Sequence, residues 1–247
     1  MSDFRSSSPQ ELAIRRKFLE HYKKSPIPDD QLFVNLGLFL NTKNLSRILF
    51  MNDIYKQIID VQGIIVEFGT RWGPNLSLFA ALRGIYEPYN IQRKIVGFDT
   101  FEGFPGLSEK DSSSDMMKIG NLSCSEGYVD YLTKVMEFQE ADNPVSHIKK
   151  FEIRKGDANI EVVKYLEENP ETIIALAFFD FDIYEPTKNC LQAIKPHLVK
   201  GSLLCFDELN AHSAPGETIA LKEVYGLNNI KLRRPRYTTR VSYFIIE

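Results

Sequence analysis

The stretch IIVEFGTRWGPNLSLFAAL, residues 64–82, begins as an apolar run and ends as an amphipathic one. Residues 64–66 suit a buried strand, while Leu78, Phe79, Leu82 and Ile85 recur at helical spacing. Residues 67–73, which hold Glu67, Gly69 and Gly73, therefore read as a tight turn between a strand and a helix. Such a turn offers backbone N–H groups and a positive helix end, and glycine lets a ligand approach the main chain. A nucleotide-like ligand and an ordinary strand-to-helix loop both account for this stretch.

Downstream, strand-like segments alternate with helical patterns: KIVGFDTF, FEIRKGDA, TIIALAFFDFD and GSLLCFDE, then NIKLRRP and RVSYFIIE. In EPTKNCLQAIKPHL, for instance, Cys190, Leu191, Ile194 and Leu198 share a helical face. This alternation predicts an α/β fold: a mostly parallel, seven-stranded sheet with helices on both sides. Only RYTT separates the last two segments, so they are expected to form an antiparallel hairpin, since parallel neighbours need a long crossover.

Upstream, residues 1–43 read as a helical lead-in whose first ten or so residues are polar, serine-rich and frayed, and residues 44–247 as the main domain. Asn44 is a plausible cap for a helix whose apolar face holds Leu45, Ile48, Leu49, Ile54, Ile58 and Ile59. Residues 108–125 are polar, weakly patterned and long for a loop, which makes them a candidate lid.

With 247 residues, 43% hydrophobic and 26% charged, the chain has the composition of a soluble globular protein with a sizeable core. A net charge of -3 gives no general attraction to nucleic acid, and the one basic cluster, KLRRPR, reads as a solvated edge. Cys124, Cys190 and Cys205 show no CxxC pairing, which suits a reducing cytoplasm, and neither an export signal nor a membrane span is visible.

In an open α/β sheet the ligand crevice lies beyond the carboxyl ends of the strands. Those ends carry Glu67, Asp99, Asp157, the pair Asp180 and Asp182, and Asp207 with Glu208. A single acid there is unremarkable as a cap, but a series calls for a common cause: a ligand rich in hydroxyls and amines, with a metal ion. Asp99 suits both hydroxyls of a ribose. Asp157 suits an exocyclic amine of adenine, or equally caps the helix that begins at Ala158. Glu67 marks a site tolerant of positive charge. The glycine spacing departs from G-x-G-x-x-G, which disfavours pyrophosphate and a nicotinamide dehydrogenase.

The ordered pieces VEFGTRWGPN, GFDTFEGFP, FFDFDIYEPT and LLCFDE resemble the class I S-adenosylmethionine-dependent methyltransferases, with a Rossmann-like fold. Within them the chain is similar to the macrocin O-methyltransferase family, which methylates sugar hydroxyls. The resemblance implies Glu67, Gly69, Thr70 and Asp99 around S-adenosylmethionine, with Arg71, Thr100, Asp157, Ala158 and Asp180 completing the expected donor site. It also implies a divalent metal, usually Mg2+, held by Asp180, Asp207 and Glu208, and a homodimer or larger assembly. Two carboxylates about 4 Å apart repel by roughly 4 kcal/mol at an effective dielectric of 20, so such a trio needs protonation or a cation. Hard oxygen ligands select magnesium or calcium over zinc. Asp182 is then a spare acid.

The expected reaction is methyl transfer to a hydroxyl of a small sugar-bearing acceptor, with Asp180 and His212 as candidate catalytic residues. Related enzymes place a histidine in the loop matching residues 108–125, and this chain has none there. His21 and His197 fall in helical patterns and His147 precedes a strand at the far end, which leaves His212 nearest the crevice. Trp72, Phe101, Phe104 and Tyr184 are candidates for stacking on a ligand or for ordinary packing. Two alternatives remain open: a catechol-like acceptor, and a nucleoside-binding module that transfers nothing.

Overall fold

The computed structural model describes residues 8–238 and 240–247, which fall into two compact units meeting between Ser46 and Arg47. Most of the segment expected to be frayed, residues 1–7, lies outside the described residues. In the first unit, helix α1 (Pro9–Lys23) starts at a reciprocal cap: Ser8 Oγ accepts the Glu11 N–H, and the Glu11 carboxylate accepts the Ser8 N–H at 2.7 Å. Two short 3-10 turns follow, and Phe39 in the second meets the Tyr22 ring edge-on at 4.8 Å.

Helix α2 (Thr42–Gln57) is capped by Asn41 rather than Asn44: the Asn41 side-chain oxygen accepts the backbone N–H groups of Lys43 and Asn44. Its buried stripe is Phe50, Met51, Ile54 and Tyr55, continued by Ile58, while Leu45 and Leu49 are exposed. The apolar face is therefore rotated from the expected one, because that pattern counted every aliphatic residue and passed over Phe50, Met51 and Tyr55.

The second unit is a six-stranded sheet in the order β3-β2-β1-β4-β5-β6. Its parallel strands are β1 (Ile64–Phe68), β2 (Ile95–Asp99), β3 (Phe151–Lys155), β4 (Ile174–Phe179) and β5 (Leu198–Phe206). Strand β6 (Ser242–Ile245) runs antiparallel to β5. The sheet has six strands and not seven: the segment expected to form the other arm of the hairpin keeps only one antiparallel bridge, Arg233 to Tyr243. Pro235 lacks an N–H, and charged, exposed neighbours give this edge nothing to bury.

Because successive strand residues point to opposite faces, each strand feeds two cores. Ile65, Leu176, Phe178, Leu203 and Cys205 pack with α2, α3 (Pro74–Tyr86) and α4 (Tyr128–Ala141). Val66, Phe68, Ala177, Phe179, Leu204 and Phe206 pack with α5 (Ala158–Glu168), α6 (Tyr184–Ile194) and α7 (Gly216–Tyr225). Burial on both faces is why β1 and β4 read as unbroken apolar runs. Among the described residues the cysteines are free, with Cys190 and Cys205 buried, and no helix is long and apolar enough to cross a membrane.

Candidate functional site

By strand alternation Glu67 shares the Ile65 face of β1 and points toward α3, where it is fully buried. Asn75, in the first turn of α3, donates to Glu67 Oε1 at 2.6 Å, and Arg47 Nε donates to Asn75 Oδ1 at 3.3 Å. Glu67 Oε2 and Thr70 Oγ1 are also buried, and neither makes a well-formed hydrogen bond. Burial pushes the Glu67 carboxyl up to about 8, against the pull of Asn75 and Arg47. A buried acid with one orphaned oxygen, beside an orphaned hydroxyl, suits the cationic amino group of a methyl donor.

The turn after β1 is tight for a reason different from the expected one. Gly69 sits at φ +89, and a Cβ there would lie 2.1 Å from the Asp180 carbonyl oxygen, so glycine lets the ends of β1 and β4 close on each other. The turn's N–H groups are largely spent: Gly69 and Thr70 donate to the Phe98 carbonyl, Arg71 to Asp99 and Gly73 to Thr70. An anion cradle is therefore absent here, in keeping with the missing dinucleotide fingerprint.

Asp99 is half-buried at the end of β2 and orders the loops that follow β1 and β2: its oxygens accept the Arg71 N–H at 2.7 Å and the Phe101 N–H at 2.5 Å. Burial raises its carboxyl, while those two N–H groups pull it back. Thr100 turns its hydroxyl onto the Gly103 carbonyl. Asp157 caps α5, accepting from the backbone and side chain of Asn159, and Ala158 is buried behind it. Phe101, Phe104 and Tyr184 are buried in packing roles, and Trp72 stands edge-on to Tyr128 at 4.6 Å.

At the ends of β4 and β5 the acids meet two arginines. Arg47 pairs with Asp207 and, at 3.4 Å, with Asp180, its guanidinium lying 4.9 Å above the Phe178 ring. Arg240 pairs with Glu208 and donates to Asp207 at 3.1 Å. Burial, then the neighbouring Asp207 charge, pushes Asp180 well above the usual carboxylate range. Asp207 is also penalised by burial, but Arg47 and Arg240 outweigh this and hold it below its ordinary value.

The cation that the trio requires is thus supplied by guanidinium groups, and no metal-binding cluster of three acids forms among the described residues. The donor set itself, hard carboxylates with no thiol or imidazole among them, fits Mg2+ or Ca2+ if the arginines withdraw. Asp182 is buried in a left-handed conformation, φ 63, and His212 is exposed in the turn between β5 and α7. Residues 108–125 are irregular; Met117 is buried against Phe104, Ile183 and Ala214, and Asp111 accepts the Tyr184 N–H at 2.7 Å.

Sequence reading missed Arg47, Asn75 and Arg240. Asn75 stands inside the quoted VEFGTRWGPN piece, whereas no local signal marks Arg47, whose partners lie 133 and 160 residues away.

No protein-family model and no curated protein matches the sequence. Among solved structures, the chain is similar to CalS11, a calicheamicin methyltransferase, at 42% identity over 97% of this chain and 93% of that one, with a TM-score of 0.94. A second, apo structure of CalS11, described as a TDP-rhamnose 3'-O-methyltransferase, aligns at 40% identity over 97% and 95% of the two chains, TM-score 0.86. The O-methyltransferase NovP shares the fold at 18% identity over 81% and 79% of the chains, TM-score 0.62. With this similarity spanning nearly the whole of both chains, the protein belongs to the class I S-adenosylmethionine-dependent O-methyltransferases, in the macrocin O-methyltransferase-like family.

Proposed function

We propose that the protein methylates a hydroxyl of a sugar, with a nucleotide-activated deoxysugar as the first acceptor to test, and that Mg2+ supports the reaction. CalS11, the 40% identical relative, acts on TDP-rhamnose, and this is the source of the acceptor class. The observation that supports the reading is the convergence of Glu67, Asp180 and Asp207, from the carboxyl ends of three strands, on the Arg47 charge.

In this reading Glu67, with Thr70, holds the donor's amino group, and Asp99 accepts from ribose hydroxyls. Gly69, Arg71, Thr100, Asp157 and Ala158 form the walls around the donor. When bound, the donor supplies a methyl group on positively charged sulfur, and Mg2+ held by Asp180, Asp207 and Glu208 supplies charge that acidifies the acceptor hydroxyl. With donor and acceptor bound, the chain's residues would hold the acceptor oxygen in line with the methyl carbon and the sulfur that leaves it, and a protein base would take the hydroxyl proton. Asp180, at the carboxyl end of β4 beside Asp207, is the first candidate base, and exposed His212 the second. Positioning supplies much of the acceleration in such an in-line displacement.

The reading extends to a homodimer or larger assembly, favoured by Phe33 and Val34, which are 88% and 87% exposed in the first unit. Light scattering that returned a monomer would remove that part. The deciding experiment incubates the protein with S-adenosylmethionine, TDP-rhamnose and MgCl2, then repeats it with chelator. A methylated nucleotide sugar, lost on chelation, supports the full reading. Turnover that survives chelator removes the metal, and donor binding without turnover removes TDP-rhamnose as the acceptor; a nucleoside-binding module requires that no acceptor and no metal support consumption of the donor.

A further inference from the structure

We infer that Glu217 is a positioning residue that clamps the two acid-bearing loops of the crevice into one unit. This rests on the reading of Asp180, Asp207 and Glu208 as the reaction site. Glu217 is fully buried in the first turn of α7. Its Oε1 accepts the Phe181 N–H at 3.0 Å and the Asp182 N–H at 3.3 Å, both in the loop leaving β4. Its Oε2 accepts the Glu208 N–H at 3.4 Å, in the loop leaving β5. One carboxylate thus spans the segments that present Asp180 and Asp182 on one side and Asp207 and Glu208 on the other.

Neighbouring features make sense only if this contact is close. Gly216 carries no side chain, and a Cβ there would lie 2.4 Å from the Tyr184 nitrogen and 2.6 Å from Asp111 Oδ1, so α7 presses directly on the β4 loop. Asp182 holds φ 63, a conformation that L-residues adopt at a cost and that persists only when neighbours fix it. The Glu217 bond to its N–H is one such constraint. Helix α6 has no side-chain cap of its own, and Glu217 and Asp111 supply carboxylates to the N–H groups leading into it. A carboxylate in this place sits beside Asp182 and Asp207, which repel it; for helix capping alone, a neutral side chain would serve without that cost. Spanning two loops requires two acceptor oxygens, which only a carboxylate offers.

Glu217→Gln tests this, because it keeps the volume and one acceptor oxygen but replaces the other with an NH2 that cannot accept from an N–H. Should that variant fail to fold, Glu217→Asp, which keeps the charge and shortens the reach, takes its place. Amide exchange should quicken in peptides covering residues 180–184 or 207–209, while S-adenosylhomocysteine, bound around β1 and β2, keeps its Kd within about twofold. With TDP-rhamnose as acceptor, kcat should fall, or the Mg2+ concentration for half-activation rise, by about 10- to 100-fold, as for residues that orient metal ligands. A folded variant with wild-type exchange, or with faster exchange and unchanged kcat and Mg2+ response, overturns the inference. If the wild-type protein turns over no sugar, the functional reading fails by itself. Amide exchange and Mg2+ calorimetry on the two proteins then decide the clamp: unaltered exchange and Mg2+ binding would overturn it.

Discussion

Arg47 donates to Asp207 through one guanidinium nitrogen and reaches Asp180 at 3.4 Å through the other, so one side chain of α2 neutralises acids at the ends of two neighbouring strands. Glu67 adds to the same field through Asn75. A guanidinium and a divalent cation answer the same electrostatic demand, so in the proposed reading the two compete for the same oxygens.

That competition has a measurable sign. Arg47→Gln leaves Asp180 and Asp207 facing each other, and breaking a half-buried pair of this kind costs about 1–3 kcal/mol. In chelator the variant should melt several degrees below wild type, at about 2–4 °C per kcal/mol for a chain of this size. Mg2+ should recover more of the melting temperature in the variant than it adds to wild type, because ligand stabilisation grows with [L]/Kd. Equal shifts in the two proteins would show that Arg47 and the metal do not share a site.

Gly69→Ala addresses the closure of β1 on β4. The new methyl meets the Asp180 carbonyl at 2.1 Å and the backbone is held at φ +89, so no side-chain rearrangement relieves it. A loss of about 1–3 kcal/mol is expected in chemical denaturation, together with weaker S-adenosylhomocysteine binding by calorimetry. Wild-type stability would mean that the turn re-forms with the strands further apart.

The strands were legible because parallel strands buried on both faces must be apolar throughout, as in residues 64–66 and 174–179, and each then ends in an acid. The six-strand count was not, since NIKLRRP has the β-branched and aliphatic content of a strand and fails only through Pro235 and its exposed edge. Glu67, Asp99, Asp180, Asp207 and Glu208 could be named from strand ends, but what neutralises them could not. Arg47 lies upstream of every strand, and Arg240 lies in the connection to the last one. Asp157 shows the reverse case: its capping of α5 was one of two readings, and the Asn159 bonds realise it.

Proton transfer separates Asp180 from His212. His212→Ala should leave donor binding intact and, if the imidazole is the base, reduce kcat by about 100-fold. Unchanged kcat removes His212 and leaves the role to Asp180. Asp180→Asn should abolish turnover in either case, so the histidine variant decides the assignment.

In the proposed reading, Glu67 makes donor binding pH-dependent. Its carboxyl rises to about 8 in the ligand-free protein, so it is mostly neutral at pH 7, yet a cationic amino group beside Oε2 favours the ionised form. Binding of S-adenosylhomocysteine should then release a proton, and affinity should rise as pH increases toward about 8, approaching tenfold per unit on the acid side. The stability sign is opposite. A carboxyl raised in the folded state contributes stability that is fully present below the unfolded value of 4.5 and is lost as pH climbs through about 8. The free protein should therefore lose stability across that window while its affinity for the donor product grows. Glu67→Gln should flatten both trends, because the amide cannot ionise. Calorimetry in two buffers of different ionisation enthalpy reads the proton directly: equal apparent enthalpies in both would mean that Glu67 is already ionised, and that burial beside Asn75 does not govern its charge.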